Sequence, residues 1–286
     1  MNTKHLINDR YIIEAITNKD HRLTGEKNIL SAEGIKPLLK LPEIAENIKV
    51  YEEIDSTNRE AKAQAVAGAA HGTTILANRQ NAGRGRCGKD FFSPHGSGLY
   101  MSFVLHSDRL GLDNSTAITA YAAVCVCQAI EAACNIRPAI KWVNDIFVDG
   151  KKICGILTEA ITEYECSHVR EVIVGVGINI STKTEDFPEP LRDIATSLYP
   201  EGNASITRNH LAAEIINRIV HYDRLDETLI FAEYKKRLFM LEADIVVLQG
   251  DESYCAKALD IDKLGRLIVR NEKGEIKTLF SGEIKI

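Results

Sequence analysis

The residues best suited to chemistry in this sequence lie in one short loop, NAGRGRCGKD at residues 81–90. Arg84, Arg86 and Lys89 place three cations among three glycines. A guanidinium binds a phosphate or carboxylate through two parallel hydrogen bonds, and a glycine-rich backbone can close around such an anion. The loop therefore predicts an anion site, with a solvated surface loop as the alternative interpretation.

The glycines of this loop match two nucleotide-binding patterns, and both patterns require a helix directly after the loop. The three glycines spell G-x-G-x-x-G, whereas Gly83, Gly88 and Lys89 give most of the P-loop pattern until Asp90 replaces its hydroxyl residue. The segment that follows, FFSPHGSG, has a proline and two glycines where a helix would need its second and third turns. The sequence thus disfavours both standard motifs and predicts a loop between strands.

Length and composition describe an ordinary globular chain. Its 286 residues are 45% hydrophobic, with a net charge of −5 and a pI near 5.9, which argues against bulk nucleic-acid binding. No apolar run approaches the ~20 residues of a membrane span, and the polar start lacks the core of a signal peptide. We therefore expect a cytoplasmic protein without membrane attachment. Its seven cysteines form no C-x-x-C pair and are expected to be reduced.

Residues 1–46 predict two short helices and no basic face. The second helix lies in LSAEGIKPLL, and seven basic residues are balanced by seven acidic ones over the whole segment, which does not suit a DNA-recognition helix. The first helix rests on the spacing of four apolar residues, which are Leu6, Ile7, Ile13 and Ile16.

After residue 46 helical and strand patterns alternate irregularly. A helix is predicted in STNREAKAQAVAGAAHG, where Thr57 and Glu60 have the spacing of a capping box. A long buried helix is predicted in NSTAITAYAAVCVCQAIEAACN, and two more lie between about residues 207 and 239. In the first of these helices we expect a buried face of small residues, which are Ala63, Val66, Ala67 and Ala70.

The strand patterns predict a sheet followed by a small barrel. AIKWVNDIFV and KKICGILTEA are predicted as two strands joined at Asp149-Gly150, a dipeptide typical of tight hairpins. From residue 244 onward four short strand patterns are separated by turn residues at regular intervals. The remaining strands are predicted in IKVYEEI, GTTILANRQ, GLYMSFVL and EVIVGVGINI.

Five motifs in one order resemble those of the biotin protein ligases. They are DSTN at 55–58, GRGRCG at 83–88, KWVND at 141–145, KKICGIL at 151–157 and GVGIN at 175–179. The resemblance covers residues 47–286 and implies an α+β fold, a mixed β-sheet with flanking helices (a class II aminoacyl-tRNA-synthetase-like catalytic domain) followed by a small C-terminal β-barrel. It implies a catalytic domain at 47–236, a barrel at 237–286, and a short extension at 1–46 that is the remnant of a winged helix-turn-helix.

The resemblance also implies which residues bind biotin. Thr57 could instead merely cap its helix, and the two roles can coexist. A ureido ring is neutral, with two donors and one acceptor, and suits hydroxyl and amide partners. The residues that match the biotin site are Ser56, Thr57, Asn58, Gln80, Gly83, Arg84, Arg86, Lys152 and Gly155.

For ATP, the resemblance implies that Arg86 and Lys152 are catalytic, with Mg²⁺ as a further cofactor whose ligands stay unassigned. An aromatic at Phe91 or Phe92 is expected beside the adenine, with core packing as the alternative, and Trp142 is expected to be a core residue. Gly175 and Gly177 allow close backbone approach, through a bulge or tight sheet packing. The residues that match the ATP site are Arg86, Lys89, Phe91, Phe92, Lys141, Asn144 and Asn179.

The implied activity is the ATP-dependent formation of biotinyl-5'-AMP, followed by transfer of biotin to a lysine. The expected partner is the biotin carboxyl carrier domain of acetyl-CoA carboxylase or another biotin-dependent carboxylase, and a homodimer without DNA binding is expected. A lipoate-type ligase and a biotin-responsive repressor are the alternatives. Because the pocket motifs begin at Asp55, removal of residues 1–40 should leave ligation largely intact.

Overall fold

The computed structural model describes residues 29–107, 115–162, 169–220, 227–250 and 252–286, and the backbone of three strands between residues 5 and 26. These strands are β1 (His5–Asn8), β2 (Tyr11–Thr17) and β3 (Asp20–Glu26), which pair antiparallel in a sheet of their own. The helix predicted through Leu6, Ile7, Ile13 and Ile16 is therefore wrong. Short apolar runs do not distinguish helix from strand by spacing, and the β-branched stretch YIIEAIT favours a strand.

The second predicted helix is present as α1 (Ala32–Ile35). The Ser31 side chain caps it by accepting a hydrogen bond from Gly34 N, and a 3₁₀ turn, Lys36–Leu38, continues the chain after it. Ile35 is fully buried, so this segment belongs to the core of the protein.

A seven-stranded mixed sheet carries the centre of the molecule. Its order is β4-β5-β6-β10-β9-β8-β7, and β4 and β5 pair parallel while the other neighbours pair antiparallel. The α+β prediction is thereby confirmed. The strands are β4 (Ile48–Ile54), β5 (Thr73–Gln80), β6 (Gly98–His106), β7 (Ala139–Lys141), β8 (Asp145–Val148), β9 (Lys151–Thr162) and β10 (Val169–Asn179).

Helices cover both faces of this sheet, because alternate residues of its central strands point to opposite sides. On one side α2 (Thr57–Val66) packs on Ile75, Val104 and Ile173 through Ala61 and Ala65. The face predicted for α2 is wrong, since Val66 is 65% exposed. On the other side lie α3 (Ser115–Cys134), α4 (Arg208–Ile219) and α5 (Glu227–Arg237).

The long helix α3 is the centre of the main core. By length and composition it could cross a membrane, contrary to the expectation from the sequence. Within this structure it packs against α4, α5 and β9, and most of its residues are buried. Its apolar character is therefore explained by burial in the protein core.

The motif KWVND does not form one strand, as the sequence predicted. β7 ends at Lys141 and β8 begins at Asp145, with a turn between them. Trp142 is buried in this turn and donates a hydrogen bond from Nε1 to Gly265 O at 2.9 Å, which supports its interpretation as a core residue. The hairpin at Asp149-Gly150 is confirmed, because both residues have positive φ angles, 49° and 76°.

The C-terminal segment forms a five-stranded antiparallel sheet of order β14-β13-β12-β11-β15. It matches the predicted small barrel in size and position, but it is open, since no pairing joins β14 to β15 in the described chain. The strands are β11 (Asp244–Gln249), β12 (Glu252–Ile261), β13 (Leu267–Asn271), β14 (Ile276–Leu279) and β15 (Glu283–Lys285).

Candidate active site

A cavity of about 630 Å³ opens beside the carboxyl end of β5 and reaches across β9 and β10 to β15. Its volume is in the range of sites that bind small ligands and cofactors. Residues of the glycine-rich loop from Arg84 to Asp90, together with Phe91, form one wall, and the C-terminal residues 282–286 form part of another. Segments from the main sheet and from the C-terminal sheet therefore meet around one space.

Nearly all the residues matched to biotin and ATP line this cavity. Gly83 lies outside the lining, and its role is in the loop itself: a Cβ there would lie 2.4 Å from Phe91 O, and Gly83 O accepts a hydrogen bond from Phe91 N. The lining residues among those predicted are Ser56, Thr57, Asn58, Gln80, Arg84, Arg86, Lys89, Phe91, Phe92, Lys141, Asn144, Lys152, Gly155 and Asn179.

One end of the cavity is polar and neutral. Gln80 Oε1 accepts hydrogen bonds from both the backbone N and the Oγ1 of Thr57, at 2.8 and 3.0 Å, while Gln80 Nε2 donates to Ser93 Oγ at 2.9 Å. Helix α2 begins after Ser56 as its N-cap residue, so the capping box predicted for Thr57 and Glu60 is wrong. Thr57 is buried and its hydroxyl faces the sheet because Gln80 holds it there.

Asn58 is occupied by protein partners. Its Nδ2 donates to Glu159 Oε2 at 2.9 Å, and its Oδ1 lies 2.6 Å from Ser102 Oγ. Gly175 leaves room for this amide, because a Cβ at that position would lie 1.9 Å from Asn58 Oδ1. Asn58 thus orders the cavity wall. Sequence reasoning missed Ser102 and Glu159, although Glu159 is the one carboxylate in the predicted strand KKICGILTEA and was a visible signal.

The glycine-rich loop has the conformation of a tight turn. Gly85 N donates to Lys89 O at 2.6 Å, and residues Arg86–Gly88 form a single 3₁₀ turn with Cys87 at a φ of 54°. No α-helix follows the loop: residues 91–94 have no regular structure and residues 95–97 form a turn before β6. The structure therefore agrees that neither the P-loop nor the dinucleotide-binding motif is present.

Each cation of this loop is tied to a different part of the fold. Arg84 Nη1 lies 3.7 Å from Glu159 Oε1 on β9, and Arg86 Nη1 donates to Asn144 Oδ1 at 3.0 Å. Lys89 Nζ lies 2.6 Å from the carboxylate of Glu283 on β15. The loop is thus held over the cavity by three side chains.

The other end of the cavity is cationic. Lys152 Nζ forms an ion pair with Asp145 Oδ1 at 2.6 Å, and its backbone is fixed by hydrogen bonds to residues 194 and 196. Burial lowers the pKa of Lys141, and the carboxylates of Asp145 and Glu283 oppose this shift. Six cations line the cavity against four carboxylates in a chain of net charge −5, so this space suits an anion. The cations are Arg84, Arg86, Lys89, Lys141, Lys152 and Lys285; the carboxylates are Asp90, Asp145, Asp193 and Glu283.

Aromatic rings also line the cavity. The Phe91 ring lies against β10, and a Cβ at Gly177 would be 2.6 Å from its Cε1. At Gly155 a Cβ would be 3.4 Å from Phe91 Cε2 and from Lys152 Nζ. Phe92 packs beside Phe187, with ring centroids 5.9 Å apart. The glycines of β9 and β10 therefore make room for side chains of the cavity, in agreement with the expected close approach.

Asn179 stands at the end of β10, where it contacts the segment that closes the cavity. Its Nδ2 donates to Thr196 O at 3.0 Å, and its carbonyl accepts from Leu198 N at 3.0 Å. The described residues contain no cluster of three or more His, Cys, Asp or Glu that could hold a metal ion by themselves.

Comparisons with known proteins agree with this geometry. A family model described as the biotin/lipoate A/B protein ligase family matches residues 50–179, and one described as the biotin protein ligase C-terminal domain matches residues 244–286. The chain is 34% identical over 287 residues to the bifunctional ligase/repressor BirA of Bacillus spizizenii, covering 99% of this chain and 87% of that protein. It is 28% identical to the biotin–[acetyl-CoA-carboxylase] ligase of Mycobacterium tuberculosis, over 77% of this chain and 82% of that one.

A solved structure is also similar. The biotin protein ligase from Aquifex aeolicus, in complex with biotin and ATP, superposes with a TM-score of 0.71 at 27% sequence identity. The match covers 84% of this chain and 97% of that one.

Proposed function

Because this chain belongs to the biotin protein ligase family, we propose that biotin reacts with ATP in its cavity and is then transferred to a carrier domain. The chain is an ATP-dependent ligase that forms biotinyl-5'-AMP and transfers biotin to a lysine. The observation that carries the placement is that a neutral polar cluster and a cationic cluster line one continuous cavity.

The neutral end takes the ureido ring of biotin. Ser56 supplies a hydroxyl group, and Gln80 has a second amide N–H beside the one that it donates to Ser93; such neutral groups match a ring that has two donors and one acceptor. Thr57 belongs to the surroundings of the ring, because its hydroxyl donates to Gln80. Asn58 contributes indirectly, since its amide is engaged by Glu159 and Ser102. Arg84 and Gly155 lie along the wall beyond this cluster. Neutral partners suit a neutral ring, because a buried unpaired charge there would be costly.

The cationic end takes the carboxylate of biotin and the phosphates of ATP. An oxygen of the biotin carboxylate attacks the α-phosphorus, the bond to the bridging oxygen breaks, and pyrophosphate leaves with that electron pair. Arg86 and Lys152 stabilise the charge on the reacting oxygens, since such transfers depend mainly on positioning and charge. We assign the departing phosphates to Lys89 and Lys141, and the fact that both line the cavity supports this assignment.

The nucleoside end is assigned to the remaining lining residues. Phe91 or Phe92 offers a ring face for adenine, and the amides of Asn144 and Asn179 offer polar contacts. Asn144 has a further task, since it holds Arg86.

Mg²⁺ fits this site as a companion of the nucleotide. Mg²⁺ is commonly bound by one or two carboxylates together with substrate phosphates, and Asp145 lies on the cavity wall beside Lys152. When bound, the ion would neutralise phosphate charge.

Transfer follows without a covalent enzyme intermediate. The neutral amine of the acceptor lysine attacks the carbonyl carbon of the mixed anhydride, an amide bond forms, the amine loses a proton, and AMP departs. The acceptor we propose is the biotin carboxyl carrier domain of acetyl-CoA carboxylase or another biotin-dependent carboxylase.

We also propose a cytoplasmic homodimer that does not bind DNA. The balance of seven basic and seven acidic residues in positions 1–46 supports the absence of DNA binding, although BirA of Bacillus spizizenii is named both ligase and repressor. Light scattering with and without biotin and ATP tests whether the protein is a dimer. A gel-shift assay with DNA upstream of biotin genes tests whether it binds DNA.

The function is tested by incubating the protein with labelled biotin, Mg·ATP and a carrier domain, with lipoate as a competing acid. We expect label on one carrier lysine, dependence on ATP, and little competition by lipoate. Preferential attachment of lipoate would contradict the proposal.

A further inference from the structure

The C-terminal sheet reaches the glycine-rich loop through one ion pair. Lys89 Nζ donates to Glu283 Oε2 at 2.6 Å, although the two residues are 194 positions apart in the sequence. This hydrogen bond lowers the pKa of the Glu283 carboxyl, so that it is held in the charged form. The contact therefore joins two parts of the chain that fold on different sheets.

Glu283 stands on a fixed element. It pairs with Leu248 in the β11–β15 ladder, and its neighbour Ile284 is fully buried in the C-terminal sheet. Gly282 has a φ of 142° and lies so close to Leu248 O that a Cβ there would be 3.1 Å away. The backbone before Glu283 is thus closely packed, and its carboxylate has a defined position at the cavity rim.

Lys89 directly follows the 3₁₀ turn of the glycine-rich loop. Glycines at positions 85 and 88 flank the turn that carries it, and its side chain is 61% exposed. The other two side-chain contacts of the loop are made by Arg84 and Arg86, which precede Lys89 and bind Glu159 and Asn144. Without Glu283, this loop would lose the one of its three described contacts that reaches the C-terminal sheet.

We propose that Glu283 is a positioning residue that holds Lys89 and thereby closes the glycine-rich loop over the activated intermediate. The inference rests on the proposed function, because an activated acyl group must stay enclosed until the acceptor lysine arrives. An exposed ion pair is weak, so the contact between Lys89 and Glu283 breaks readily when substrate enters. The ion pair therefore changes the equilibrium constant between the open and closed conformations of the loop only a few-fold.

Three variants test the contact: Glu283→Gln, Lys89→Met and the double variant. Trypsin cleavage after Arg84 and Arg86 in the ligand-free protein reports loop opening in all of them. We expect a roughly two- to fivefold faster cleavage in each single variant. The double variant should be no faster than either single one, because both remove the same interaction.

The second readout is retention of the intermediate. Labelled biotin on a bystander protein is divided by pyrophosphate released, so that the ratio measures leakage per adenylate formed. Glu283→Gln should raise this ratio two- to fivefold. Asp260→Asn is the matched control, because Asp260 forms an ion pair of similar exposure from the same sheet to Lys235, away from the cavity. It should leave both readouts unchanged.

Equal cleavage and equal leakage in wild type and Glu283→Gln would overturn the inference, as would additive effects in the double variant. Failure of the proposed function is a separate result, because wild type would then release no pyrophosphate on addition of biotin. Thermal unfolding of each variant, with a midpoint equal to that of wild type, excludes a general loss of folding.

Discussion

Arg86 and Asn144, which both line the cavity, are joined by a hydrogen bond of 3.0 Å from the guanidinium Nη1 to the amide Oδ1. Asn144 is itself fixed, because its Nδ2 donates to Ile156 O at 2.9 Å and its carbonyl accepts from Ile156 N. The guanidinium therefore has a defined direction before any ligand arrives. Preorganised donors stabilise developing charge without a cost of reorganisation at the moment of reaction.

The first prediction concerns the N-terminal segment. Asn209 on α4 accepts from Ser31 N and donates to Ile29 O, and Leu30 and Ile35 are buried in the main core. We therefore expect that removal of residues 1–28 leaves unfolding and biotin transfer nearly unchanged. Removal of residues 1–40 should lower the free energy of unfolding by several kcal/mol, at roughly 2–5 kcal/mol for each large buried side chain lost.

Chemical denaturation of both truncated proteins measures this difference, with steady-state biotin transfer measured beside it. The expectation from the sequence, that removal of residues 1–40 leaves ligation largely intact, follows from the position of the pocket motifs alone. Equal stability of the two truncated proteins would support that simpler view and contradict the packing seen at Leu30 and Ile35.

The elements that could be predicted from the sequence are those with a strong local signal. Helix α3 has an uninterrupted apolar run, the hairpin at Asp149-Gly150 has its turn dipeptide, and the C-terminal strands have turn residues at regular intervals. In α2, by contrast, small residues occupy several faces of the helix. The contacts of Thr57 with Gln80 determine which of these faces is buried. Such contacts depend on the sheet and not on helical spacing.

The composition of the cavity wall could be predicted largely from motifs, but its internal contacts could not. Arg84 with Glu159 and Lys89 with Glu283 join residues 75 and 194 positions apart, and no local pattern indicates which carboxylate pairs with which cation. These pairs are decided by the way the loop, β9 and β15 come together.

Two glycine substitutions test the packing of the cavity wall. A Cβ at Gly175 would lie 1.9 Å from Asn58 Oδ1, so Gly175→Ala must displace the Asn58 amide or the backbone. We expect a loss of about 1–3 kcal/mol in unfolding free energy and weaker biotin binding. In Gly155→Ala the new methyl group would lie 3.4 Å from its nearest neighbours, which is ordinary contact, and stability should change much less.

Calorimetry of biotin binding and thermal unfolding compare the two variants. A Gly175→Ala protein as stable as Gly155→Ala would show that Asn58 moves freely, and would argue against its place in the wall.

Lys152→Ala should slow adenylate formation more than transfer from pre-formed biotinyl-5'-AMP. A charged hydrogen bond contributes about 1.5–3 kcal/mol, which corresponds to roughly tenfold to more than a hundredfold in rate. Stopped-time assays of pyrophosphate release and of transfer separate the two steps. The matched control is Lys151→Ala, because the neighbouring Lys151 is directed to Arg192 O and lies outside the cavity lining. Equal losses in both steps would contradict the role of Lys152.

Arg86→Gly tests retention of the activated acyl group. Loss of the guanidinium removes the bond to Asn144. It also removes the positive charge that we propose to face the adenylate phosphate, while the proposed contributions of Lys152 and Mg²⁺ to the chemistry remain. We expect adenylate still to form at saturating ATP but to escape more readily, and so to acylate unrelated lysines nearby. Arg86→Lys keeps the charge without the planar fork and should leak to an intermediate extent. The measurement is labelled biotin on a bystander protein and on the ligase itself, relative to pyrophosphate released. Unchanged off-target labelling with normal adenylate formation would show that a different group retains the intermediate.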